Sequence, residues 1–355
     1  MSIPQSQRDL RIDLVRGIAL LILVTDHLPG NPLRSLMPVS WGLADMAEAF
    51  VLLSGVVVGF GIRKRRTFQA CTTHRLRRAV TLFVAYFLTA ILLIAMVRYF
   101  QIGVVAQTLP AHFLAGSWYE LMVKLFAING RVSNLCILLL YFWLAIGLIC
   151  LPDRIWKYPR VIFLSSFLLY LGSQLTPSIS LPQQFQVATY FNPFAWQFLF
   201  VSGAIYANAS EQWKQNKINR TVLFPLALLV NGVLLLIIGL EVALPEFLIK
   251  KTNLGPLRYL HAVSAALIFK EILPKQLSMK WQRLLSPFFR CSEQSLWVYC
   301  GGSLLVVWLS QFMWQAESLS KVVFLNSLAW TGCFCIAWLV TSLKHFMSMK
   351  RKRTI

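Results

Sequence analysis

The sequence predicts an all-α, polytopic integral membrane helical bundle of about ten transmembrane helices, and three observations carry the prediction. Hydrophobic residues make up 57% of the 355 residues and charged residues 13%, about half the ~25% charged of soluble domains. Mean hydropathy is +0.63. A soluble chain this apolar would have too little polar side chain to cover its surface. Second, apolar segments fall near 12–28, 41–62, 79–97, 132–150, 159–172, 193–207, 221–240, 257–273, 293–314 and 322–343, lengths that approach the ~30 Å of a bilayer core. Third, the basic residues alternate. Ten spans put both termini on one side, and 25 of the 34 Lys and Arg lie there against 8 on the other, with Arg16 left in the first span. That excess orients the termini toward the cytoplasm.

The elements follow in order. Segments one, five and six are short for a full span, so they are expected to tilt little, start deeper or be partly broken. Arg8 and Arg11 before Gly17–Val24 resemble a signal peptide, but Thr25-Asp26-His27-Leu28-Pro29 is a poor cleavage context, so the first segment is expected to stay. Seven basic residues lie between Arg63 and Arg78. The longest outer stretches are 98–131, where Trp118 and Tyr119 fit an interfacial anchor, and 173–192, with Pro177, Pro182, Gln183, Gln184 and Gln186. No soluble domain and no repeat is visible. The chain reads as one membrane domain over 1–355 with basic cytoplasmic tails at 1–11 and 344–355.

The net charge of +21 would suggest nucleic acid in a soluble protein. Here the positive-inside bias explains it, and no basic stripe interleaved with aromatics occurs on a polar domain. The expected partner is the lipid bilayer. The seven cysteines contain no CxxC pair, and Cys150, Cys300, Cys333 and Cys335 sit in apolar runs. They read as small buried side chains, neither a metal site nor a disulfide framework.

Ionisable groups inside a span cost roughly 2.5–3.5 kcal/mol each and are usually functional. The first two spans carry Asp13, Arg16, Asp26, His27, Asp45 and Glu48. Arg16 and His27 lie 11 residues apart, which is about 20° after whole turns and ~17 Å along a helix axis. One stripe thus presents a cation near the cytoplasmic boundary and a proton acceptor near the outer one. Asp13, one turn before Arg16, is placed to pair with it. This suits a long phosphorylated donor held by Arg16, with His27 as general base on an acceptor hydroxyl. Asp26 or another carboxylate would set the tautomer of His27. The plainer alternative is a snorkelling Asp13–Arg16 pair and a His27 that ends a helix. Asp45 and Glu48 are i,i+3 and resist ionising together unless a cation or histidine is near. Asp45 alone is explained as a solvated boundary residue, whereas Glu48 is deeper.

Softer signals lie downstream. Asn192-Pro193-Phe194-Ala195-Trp196-Gln197 opens the sixth segment with polar-tipped side chains, either pocket or interfacial belt. Lys250-Lys251-Thr252-Asn253-Leu254-Gly255-Pro256-Leu257-Arg258 puts cations at an outer mouth, with His261 one turn after Arg258. His112 and His345 read as loop or boundary residues and His74 as part of a basic loop. Gly55, Gly59 and Gly61 form a small-residue packing stripe. There is no GxSxG, P-loop, HExxH or GxGxxG.

Arg16-x10-His27 in a first span, preceded by Arg8-Asp9-Leu10-Arg11-Ile12-Asp13, resembles the opening of the acyltransferase-3 membrane superfamily. Within it the chain looks most like the OpgC family, which succinylates osmoregulated periplasmic glucans. The matching stretches are Asp13–Gly17 with Asp26-His27, Ala44-Asp45-x-x-Glu48-x-Phe50-Val51-x-x-Ser54-Gly55, Phe191–Gln197, and Lys251–Arg258 with His261. Together with the Cys291–Cys300 lead-in to the ninth span, they run collinearly over most of the chain. Two positions depart from the pattern. Cys136 and Leu139 precede Tyr141 where an Asp followed by Pro is expected, and Gln294 stands where a histidine is expected.

The resemblance implies an inner-membrane O-acyltransferase that moves an acyl group from cytoplasmic acyl-CoA, succinyl-CoA first among them, to a hydroxyl of a periplasmic or cell-surface glycan. It implies no bound cofactor, His27 as the catalytic histidine and Arg16 as the donor-side arginine. No serine or cysteine is paired with His27 in the sequence, so direct transfer is expected. Two other classes stay open: a transporter or flippase for a glycan or lipid-linked precursor, with Asp13, Arg16 and Glu48 relaying ions, and a non-catalytic membrane partner. The oligomeric state is not legible.

Overall fold

Helices begin and end where the sequence supplies caps and breakers. Asp9 caps the first helix by accepting from the Arg11 backbone N–H at 3.1 Å. Pro29 disfavours helical backbone at Leu28, and Gly30 turns the chain with φ 74°. Pro159, Pro193 and Pro256 each open a helix, where their missing N–H costs nothing. The computed structural model describes residues 9–64, 68–102, 105, 109, 111–128, 132, 135–151, 153–175, 190–208, 217–313 and 315–353. The tail 1–8 with Arg8, the proline- and glutamine-bearing 176–189, and parts of 98–131 lie outside them.

Among the described residues the secondary structure is helical, without strands. Ten principal helices are α1 (Leu10–His27), α2 (Met46–Lys64), α3 (Phe68–Phe100), α4 (Cys136–Cys150), α5 (Pro159–Leu175), α6 (Pro193–Asn208), α7 (Lys217–Gly239), α8 (Pro256–Ile272), α9 (Ser295–Met313) and α10 (Leu319–Arg353). Each expected apolar segment falls on one of them. Four contain stretches long and apolar enough to cross a membrane: Thr72–Phe100, Thr221–Gly239, Ser295–Met313 and Leu319–Met349. Met46–Ile62 and Cys136–Cys150 are shorter apolar helices. α1 carries Arg11, Asp13, Arg16 and Asp26 within its 18 residues, and α5, α6 and α8 rise only ~24–26 Å.

Two boundaries differ from the sequence reading. The second apolar segment is broken: Pro38–Trp41 is a separate short helix, and α2 starts only at Met46. The expected C-terminal tail from Lys344 instead continues α10 to Arg353, because Lys and Arg are good helix formers and suit a helix C-terminus.

The chain divides into two compact units, residues 1–37 with 269–355 and residues 38–268. In the first, α1 packs on the short helix Ser286–Glu293 and on α9 and α10. The approach is close enough that a Cβ on Gly17 would come within 2.2 Å of the Phe288 carbonyl oxygen. In the second, α2 packs on α6, α3 on α4, and α5 on α6. A Cβ on Gly55 would meet the Phe200 carbonyl at 1.9 Å, one on Gly59 the Ala204 carbonyl at 2.3 Å, and one on Gly203 the Leu52 carbonyl at 2.3 Å. These contacts are backbone on backbone, as small-residue stripes in membrane helices allow. Gly61 is not part of the stripe, since nothing lies within 4 Å of its Cβ position.

The outer surface is apolar. α3 exposes Leu76, Val80, Val84, Leu88 and Leu92, one residue every turn, while Ala79, Leu82, Tyr86, Ala90 and Leu93 are buried. A stripe of that length does not suit water and does suit hydrocarbon. The buried set meanwhile includes Asp13, Asn31, Asp45, Glu48, Arg75 and His261. Arg75 is fastened by donating to the Leu148 carbonyl of α4 at 2.9 Å and to that of the C-cap residue Leu151 at 3.2 Å. Trp118, the expected anchor, lies 4.7 Å beneath the Arg98 guanidinium, a cation–π contact.

Candidate functional site

In the first unit, the candidate residues lie along α1. Asp13 accepts from the Ser292 hydroxyl at 2.9 Å, and Arg16 donates through Nη2 to Ser295 Oγ at 2.9 Å. Both serines flank the junction at Gln294 between the Ser286–Glu293 helix and α9. Gln294 itself, the position that departs from the family pattern, accepts from Lys344 of α10 at 2.5 Å. The polar groups in the first half of α1 are thus tied to the start of α9.

At the other end of α1, His27 is the last helical residue and is half-buried. Its Nδ1 lies 2.6 Å from the Leu23 carbonyl oxygen. A carbonyl only accepts, so Nδ1 carries the hydrogen, and in the neutral ring Nε2 is the basic nitrogen. The expectation that Asp26 would orient this ring is corrected. Asp26 accepts from Arg34 Nε at 3.0 Å instead. Asp26 is about 100° round the helix from His27 and meets a cation from the short 3-10 helix Pro32–Leu36. The carbonyl one turn back meets the imidazole.

The second unit gathers Asp45, Glu48, Arg258 and His261. Asp45 is the N-cap of α2: its Oδ1 accepts from the Ala47 backbone N–H at 2.8 Å. Glu48, three residues on, reaches back to accept from the Asp45 backbone N–H at 2.9 Å. This reciprocal pair is a capping box, Asp-x-x-Glu in sequence. Its remaining oxygens meet cations from far along the chain. Arg258 Nε donates to Glu48 Oε1 at 2.7 Å, Arg258 Nη2 stands 3.6 Å from Asp45 Oδ2, and Lys251 Nζ donates to the same oxygen. All four carboxylate oxygens are engaged, and Glu48 is 0% exposed. These contacts hold Glu48 at the entrance to α2. Asp45 lies in the loop ahead of α2; burial raises its carboxyl pKa, but Lys251 and Arg258 outweigh burial and hold it at about 2.

His261 closes the same loop from α8. Its Nδ1 accepts from the backbone N–H groups of Leu43, 3.2 Å, and Ala44, 3.1 Å. It therefore carries its hydrogen on Nε2 when neutral, the opposite tautomer to His27. A Cβ on Gly42 would come within 3.0 Å of this ring and 3.1 Å of the Pro38 carbonyl oxygen, so glycine lets the turn lie close against the histidine.

Asn192 and Trp196 shape the loop that delivers Lys251. Trp196 Nε1 donates to the carbonyls of Lys251 and Thr252 at 3.1 and 3.2 Å. The Asn192 backbone N–H donates to the Thr252 carbonyl at 2.8 Å. Gln174 takes the Asn253 carbonyl at 2.5 Å and Tyr170 the Leu254 carbonyl at 2.9 Å. Four consecutive carbonyls are gripped, and Leu254 is held at φ 47° with 0% exposure. Gln197 bonds instead to Ser166 of α5, accepting at 2.6 Å and donating to its carbonyl at 2.8 Å; it joins α5 to α6.

Sequence reasoning missed Lys251 as a partner, together with Ser292, Ser295 and the Leu23 carbonyl. The Asp-x-x-Glu spacing signalled the capping box, but nothing local signalled which cations would complete it. A family model described as OpgC protein matches residues 8–346. No curated protein and no solved structure matches the chain.

Proposed function

The chain belongs to the OpgC family, a membership that points to a membrane acyltransferase-type enzyme, and from that premise we propose that it transfers an acyl group to a glycan hydroxyl outside the cytoplasm with His27 as general base. The donor is a cytoplasmic acyl-CoA, succinyl-CoA first among candidates, and Arg16 holds its anionic part. The protein spans the inner membrane ten times with both termini cytoplasmic.

The observation that supports this reading is the fixed imidazole. With Nδ1–H donated to Leu23, Nε2 is the atom that takes the proton of the acceptor hydroxyl. The hydroxyl oxygen attacks the thioester carbonyl, a C–O bond forms, and the C–S bond breaks. The CoA thiolate leaves with the proton from the imidazolium, so the histidine returns to its starting state. Arg16, three turns away on α1, keeps the donor's charged part distant from the reacting carbonyl.

His27→Ala tests it in cells, with glycan mass spectrometry as the readout. Loss of the acyl mass shift at normal protein abundance supports the enzyme. An unchanged glycan rejects it and moves the reading to a transporter of glycan or lipid-linked precursor.

A further inference from the structure

We infer that Asn326 and Trp330 of α10 are positioning residues for His27, acting through the buried amide of Asn31 and the hydroxyl of Thr25; the inference rests on the reading of His27 as the base. The last carbonyls of a helix have no intrahelical partner. At the end of α1 the Thr25 carbonyl is taken by Asn31 Nδ2 at 2.8 Å. The second Nδ2 hydrogen of Asn31 goes to Asn326 Oδ1 at 3.0 Å, and Asn326 Nδ2 returns a bond to Asn31 Oδ1 at 3.2 Å. The Leu33 backbone N–H donates to that same Oδ1 at 3.2 Å. Both donors and both acceptor positions of the Asn31 amide are filled. A flipped amide would face N–H against N–H at Leu33 and oxygen against oxygen at Thr25, so its orientation is determined.

One helical turn beyond Asn326, Trp330 Nε1 donates to Thr25 Oγ1 at 3.0 Å. Positions 326 and 330 are i,i+4 and share a face of α10. Thr25 is 1% exposed, Asn31 5% and Asn326 6%. The backbone two residues before His27 and four residues after it is therefore tied to one face of α10, while the ring is held to Leu23. Apolar side chains of similar size would pack α10 on α1 as well. An amide with every bond made adds a single allowed position, because a buried donor or acceptor left unmet is costly. A misplacement of about 1 Å costs on the order of 100-fold in rate.

The test uses full-length protein in membrane vesicles, isotopically labelled succinyl-CoA and acetyl-CoA as donors, and the host's isolated glycan as acceptor. Trp330→Phe and Thr25→Val are each expected to lower kcat about 10- to 100-fold with donor KM unchanged. The double variant should be no worse than either single, because both remove the same bond. Asn31→Leu with Asn326→Leu replaces both partners and should keep normal abundance while kcat stays low. Recovery of kcat together with abundance in that pair, or wild-type kcat in Trp330→Phe while His27→Ala is inactive, overturns the positioning role alone. Wild-type transfer by His27→Ala overturns the functional reading beneath it.

Discussion

The end of α1 and the start of α2 both gather polar groups inside an apolar chain, yet they use them oppositely. At the start of α2, two carboxylates, an arginine and a lysine satisfy one another, and each carboxylate oxygen has a donor. At the end of α1, the bonds converge on the backbone around a single imidazole and define which of its nitrogens is basic. Charge density alone does not mark chemistry. A closed ion cluster builds a helix entrance, and a ring held through Nδ1 has its orientation set by one backbone carbonyl. The two histidines summarise the contrast: Nδ1 donates in His27 and accepts in His261.

Perturbing each side should separate rate from stability. The largest effect is expected at His27→Ala, with transfer falling about 10²–10⁴-fold and the melting temperature in detergent unmoved; a fall in both together would erase the distinction. Arg258→Met leaves Glu48 buried without its cation and should cost about 3–5 kcal/mol of stability. Its residual transfer should scale with the folded fraction, and a specific loss of kcat at full abundance would move Arg258 into the chemistry. Trp196→Phe removes one indole donor from the Lys251 loop, and about 1 kcal/mol is expected, read as a small drop in melting temperature.

The smallest effect is in acid. Asp45 is depressed from its ordinary 3.8 to about 2, so its stabilisation is complete above that ordinary value and disappears as pH falls toward 2. Melting temperatures of wild type and Asp45→Asn should therefore draw together as pH falls from 5 to 2.5, with the variant less sensitive to acid. Parallel curves would show that the Asp45–Lys251 contact contributes nothing.

The helices were legible because apolar runs, prolines and capping residues are local signals, and each of the ten expected segments carries one. Arg16 and His27 were legible as outliers in an apolar stretch. The meaning of Asp45 and Glu48 was not, because the cations that complete them come from Lys251 and Arg258, some 200 residues on. The orienter of His27 was hidden for a different reason. A backbone carbonyl exists at every residue, so no sequence pattern distinguishes Leu23. Asn326 carried a usable sign, an amide within the apolar segment 322–343, whose partner Asn31 lies in a turn nearly 300 residues earlier.

The glycine contacts between α2 and α6 have a temporal side. The ribosome makes Phe200 about 145 residues after Gly55, a gap of roughly 7–30 s at ordinary elongation speed. Throughout that interval the notched flank of the earlier helix has no mate, because α6 is not yet synthesised. Such a nascent intermediate offers a bare groove to any insertion factor that shields small-residue surfaces, and a chain cut short before residue 200 would keep that groove permanently open.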